Sequence, residues 1–171
     1  MNLVPRRTRF IVGLSVLAAA VVSAAAPASA SAQLADSRAL TLDGVKEIVA
    51  AAAAEARANN WGVVIAVVDA GGHLLYLERM DGVQTGSVEV ATEKARTAVA
   101  FRRPTLAFQE GIAAGNTAML GIRQALPLEG GVPLMVDGHL VGGIGVSGVT
   151  SQQDGVIAAA GVRALEAMAG G

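Results

Sequence analysis

Two hydrophobic rhythms alternate along the chain. Val45, Ile48, Val49, Ala52 and Ala56 recur at helical spacing, with Lys46, Glu47, Glu55 and Arg57 mainly between them. This spacing predicts a first helix capped by Thr41 and ending near Asn59. Val63–Val68 is a continuous apolar run. The turn residues Asp69-Ala70-Gly71-Gly72 follow, and then the strand-like His73–Met80. Together they predict a β-hairpin. The helical rhythm returns from Ser87, the expected cap, to about Phe101, with Val88, Ala91, Ala95, Ala98 and Val99 on one face. Pro104 stops that helix. Thr105–Glu110 predicts a short helical turn, Gly111–Arg123 carries no clear pattern, and Gln124–Leu128 predicts a third strand. A last helix is expected from about Ser151 to Met168. The order α-β-β-α-α-β-β-β-α, with hairpins rather than βαβ crossovers, predicts an α+β domain with about five mostly antiparallel strands flanked by helices.

The stretch between the third predicted strand and the last helix is the most distinctive. Val132–Val136 and His139–Val146 are apolar runs joined by Asp137-Gly138, a pair that favours the positive φ angles of a tight hairpin turn. The second run contains Gly142, Gly143 and Gly145, followed by Gly148. Glycine weakens a strand, so such a run implies a bulge or the close approach of another backbone or a flat ligand. Gly143 is therefore a candidate contact for a planar group.

The first residues change the picture of where the domain begins. Arg6, Arg7 and Arg9 precede the uncharged apolar stretch Ile11–Ala26, and Ala28-Ser29-Ala30 and Ala30-Ser31-Ala32 offer small-residue cleavage patterns. Residues 1–32 read as a secretory signal peptide cleaved near Ala32, and Gln33–Leu40 as a flexible leader. A single domain is expected over 41–171, in a secreted or periplasmic compartment. There is no cysteine, which excludes disulfides and a lipid-modified cysteine. Without the three leader arginines, ten Lys and Arg stand against fourteen Asp and Glu, a net charge of −4. That balance and the lack of a basic cluster beyond Arg102-Arg103 argue against a nucleic-acid partner.

Candidate chemistry is sparse. His73 and His139 each follow a hairpin turn, and no His pair stands four residues apart, so ordinary zinc-site spacing is missing. Haem iron accepts His, Met or Tyr, which brings in Met80, Met119 and Met135. Arg79, Lys94 and Arg102 could hold carboxylates, either haem propionates or a small acid. A small-acid enzyme would use Arg79 and Lys94 as clamps and Asp69, Asp81 or His139 as acid and base. Ser147 lacks the Gly-x-Ser-x-Gly register of a nucleophile elbow.

The blocks VVDAGGHLLYLERMDG, EKARTAVAFRRPT, GGVPLMVDGHLVGGIGVSG and QQDG, in that order, resemble the GlcG/HbpS-type haem-binding family. The resemblance spans about Leu40–Ala169. It implies a profilin-like or PAS-like sheet flanked by helices, often assembled as a homo-oligomer, and a haem or related tetrapyrrole ligand in storage, sensing or degradation. An alternative is a structural or signalling oligomer that displays its surface to a membrane sensor and has no ligand of its own. The resemblance also implies an iron ligand at Thr117, with Met119 close by; Arg79 or Arg102 would then pair with the propionates. It implies a second iron site at the start of the second helix, where Glu89 and Lys94 match and Thr92 replaces an acidic residue.

Overall fold

Thr41 starts the first helix as expected. In the computed structural model, which describes residues 37–170, its side chain accepts the Gly44 N–H at 3.2 Å. Helix α1 (Leu42–Ala58) is followed by β1 (Val64–Asp69), β2 (Leu74–Arg79), α2 (Gly86–Phe101) and α3 (Leu106–Ala113). A 3-10 turn (Thr117–Gly121) leads to β3 (Gly131–Val136), β4 (His139–Ser147) and α4 (Ser151–Ala169). Thr150 and Gln153 form a reciprocal capping box at the start of α4. The expected secretory signal and cleavage site lie outside the described residues.

The strands form one antiparallel sheet in the order β2-β1-β4-β3. Alternate residues of β1 serve two layers. Ile65 and Val67 join Ile144, Val146 and the apolar faces of α1 and α4 in the main core. Val64 and Ala66 face the other way, packing with Val83 and Ala91. The sheet is thus covered on both faces, which explains why β1 reads as an unbroken apolar run.

The expected third strand at Gln124–Leu128 does not form, and the sheet has four strands rather than five. Its backbone is taken by a side chain of α2 instead: Thr97 Oγ1 accepts the Leu126 N–H at 2.9 Å and donates to the Gln124 carbonyl at 3.3 Å. Pro127 also removes a donor that a sheet ladder needs. Ser87 is not the cap of α2 either. It is buried inside the first turn, where its hydroxyl accepts from Gln84 and Ser147. Leu40, expected in a flexible leader, packs against the main core.

At Gly143 and Gly145 of β4 the space of a side chain is taken by α2, and at Gly142 by Leu40 and the Val68 carbonyl. A Cβ at Gly143 would stand 2.7 Å from Val99 Cγ2 and 2.8 Å from the Ala95 carbonyl oxygen, and one at Gly145 would collide with the Ala91 carbonyl. Gly131 is occupied in the same way by the Lys94 carbonyl. The close approach that the glycine run predicts is therefore helix on sheet. Gly143 is buried beneath α2 and has no surface to offer a flat ligand.

Candidate functional site

Two charged constellations stand out, one buried and one exposed. The buried one centres on Lys94, only 2% exposed, whose Nζ donates to Asp154 Oδ2 at 2.8 Å and to the Val146 carbonyl at 2.9 Å. Asp154 Oδ1 in turn accepts the Val149 N–H. The pair ties α2 to the end of β4 and the first turn of α4. Burial pushes the Asp154 carboxyl above its usual value, and the hydrogen bond from Lys94 partly offsets this. Glu129, lying over Gly155, is likewise raised by burial, and next by the charge of Glu110.

The exposed constellation lies on the outer face of α2. A concavity of about 460 Å³ is lined by Gly71, Gly72 and His73 of the β1–β2 turn, by Glu93, Arg96 and Ala100 of α2, and by Arg123 and Gln124. A smaller one of about 250 Å³ shares Glu93, Arg123 and Gln124 and continues along Glu89, Val90, Ala125 and Leu126. The two adjoin through these three shared residues, along a groove between the turn and the segment that Thr97 holds against α2. The larger concavity falls in the range of small-molecule sites.

The turn that forms one wall is tightly specified. Asp69 Oδ1 accepts the N–H groups of Gly71 at 2.8 Å and His73 at 2.9 Å, an Asx-type arrangement. Its Oδ2 stands 3.3 Å from His73 Nδ1. The His73 N–H holds the Asp69 carboxyl below its usual range; burial opposes this as the next-largest effect, and the Gly71 N–H and the imidazole reinforce the lowering. Arg96 donates from Nε to the Gly72 carbonyl at 3.2 Å and pairs with Glu93 at 2.7 Å. Arg123 is exposed and has no acidic partner among the described residues.

The residues singled out from sequence do not converge. Lys94 is buried against Asp154, so it can neither share an iron site with the exposed Glu89 nor clamp a small acid. Thr92 is also buried, and its hydroxyl donates to the Val88 carbonyl at 2.8 Å. Thr117 is exposed on the 3-10 turn and lines neither part of the groove. Met119 packs its thioether over Gly111 of α3. Arg79 bonds the Val83 carbonyl just before α2, and Arg102 caps the far end of that helix, in the left-handed region. Sixteen helical residues place these ends on the order of 24 Å apart. Sequence reasoning missed Arg96 and Arg123 as groove residues. Glu89, Glu93, Arg96 and the small Ala100 follow helical spacing and mark the outer face of α2, whereas Arg123 sits where the pattern is silent.

Similarity to known proteins supplies the context for this fold. Protein GlcG of Escherichia coli strain K12 is 48% identical over 100 residues, 58% of this chain and 75% of GlcG. A double mutant of Streptomyces reticuli HbpS superposes with a TM-score of 0.70 at 36% identity, covering 82% of this chain and 97% of that one. The PduOC–haem complex gives 0.66 at 31% identity, covering 74% of this chain and 95% of that chain. The model of the haem-degrading HbpS-like proteins matches residues 40–163, and the chain belongs to that HbpS-like family.

Proposed function

We propose that this protein binds haem, or a closely related tetrapyrrole, in the groove on the outer face of α2. The observation that carries the reading is the likeness to PduOC, a relative solved with haem, over nearly the whole of that chain. The groove has the means to hold such a group. Ala100, Ala125, Leu126 and Val90 offer apolar wall for a macrocycle, and the Arg96 and Arg123 guanidiniums suit its carboxylates. Arg123 is the better anchor, because Arg96 is already engaged by Gly72 and Glu93. A small-acid enzyme built on Arg79 and Lys94 loses one of its clamps to the buried pair with Asp154.

The leader, rich in arginine and then in small apolar residues, supports export. We place the working protein outside the cytoplasmic membrane, beginning near Gln33. An intact mass of the exported protein would check that start. For the ligand, haemin titrated into the purified protein should give a saturable Soret shift at micromolar concentration. Arg123→Ala should weaken the binding with the fold intact. A linear, unsaturable absorbance in the wild-type protein would refute haem binding.

A further inference from the structure

The Asp69–His73 pair is a polar arrangement at the groove wall that its own turn holds in place. Asp69 uses one carboxylate oxygen to fix the turn through two backbone N–H groups, and turns the other to His73 Nδ1. The ring leans on Gly71, where an added Cβ would meet Nδ1 at 3.0 Å and Cε1 at 3.1 Å. A carboxylate facing Nδ1 favours the tautomer with its proton there. This leaves Nε2 with its lone pair, and Nε2 has no partner among the described residues. The imidazole is 83% exposed yet oriented, beside the concavity that Arg96 and Arg123 flank. An imidazole whose second nitrogen donates to a carboxylate is the usual form of a histidine metal ligand.

We propose that His73, oriented by Asp69, is the axial ligand that bonds haem iron through Nε2, with the macrocycle in the α2 groove. This rests on the haem-binding reading above and names the ligand that reading leaves open. It also places the iron at the β1–β2 turn and not at Thr117. The glycine backbone of Gly71-Gly72 lets a planar group come close to the turn, and Arg123 lies across the same concavity to meet a propionate.

The test is haemin titration of the purified wild-type protein and of His73→Ala, His73→Gly, Asp69→Asn and Thr117→Ala, each first shown by circular dichroism to keep its fold. Absorbance and electron paramagnetic resonance report the axial ligand without any assay of activity. The wild-type and Thr117→Ala proteins should share a nitrogen-ligated spectrum that His73→Ala lacks, and imidazole should restore it to His73→Gly. Asp69→Asn should keep the spectrum and weaken binding by roughly tenfold, the lower end for loss of a ligand's carboxylate partner. If the wild-type protein binds haemin and His73→Ala gives the same spectrum, the assignment is wrong while haem binding stands. Loss of the spectrum in Thr117→Ala alone would move the ligand to the 3-10 turn. An absence of saturable binding in the wild-type protein would overturn both.

Discussion

The two hairpin turns are spelled with the same residue types, Asp, Gly and His, and do different things. Between β3 and β4, Asp137 and Gly138 occupy a two-residue turn with φ of 49° and 76°, and His139 is already the first residue of the next strand. Asp137 pairs away from the turn, with Arg38. Between β1 and β2, two further residues let the chain fold back over Asp69, which then grips its own turn and faces His73. Turn length thus decides whether an Asp and a His become a pair. The hairpins differ below the turn as well. The β3–β4 hairpin is locked beneath α2 by glycines and joined to the Lys94–Asp154 pair, whereas the β1–β2 turn opens on the groove. One hairpin is committed to packing and the other carries the candidate chemistry.

Perturbing the packed hairpin should have the largest effect. Lys94→Ala leaves Asp154 buried without its partner and should cost about 3–5 kcal/mol in urea unfolding. Gly145→Ala forces a methyl group into the Ala91 carbonyl and should cost about 1–3 kcal/mol, because β4 and α2 must separate.

Smaller effects should separate the two regions by pH. Asp69 is lowered in the folded protein, so its contribution to stability is present above the unfolded value of 3.8 and is lost as pH falls through the lowered one. Asp69→Asn should therefore soften the acid-side fall in Tm. Glu129 is raised, so its contribution has the opposite sign. It is present below the unfolded value of 4.5 and is lost as pH rises through the raised one. Glu129→Gln should lift Tm near neutrality relative to wild type and change little well below pH 4.5. Smallest of all, His139→Ala should leave stability within about 0.5 kcal/mol and leave the haemin spectrum as it is.

Much of the fold was legible in the chain. Periodicity located four strands and the main helices to within a residue or two, and Asp137-Gly138 identified its turn. Gln124–Leu128 misled because an apolar run near a proline looks like a strand until Thr97, 27 residues earlier, is seen to bond its backbone. The site was less legible for the same reason. Lys94 lies among charged residues in sequence, and only the distant Asp154 shows that it faces inward. Gly143 marked a close approach correctly, but the partner proved to be α2. Asp69 and His73 were each visible, and their pairing depends on a turn whose path the residue types alone do not dictate.

The most direct measurement is an anomalous difference map at the iron absorption edge from crystals of the protein grown with haemin. An iron peak is expected within bonding distance of His73 Nε2, with density for the macrocycle along α2 toward Arg123. An iron peak at Thr117, or against the β3–β4 hairpin, would contradict it.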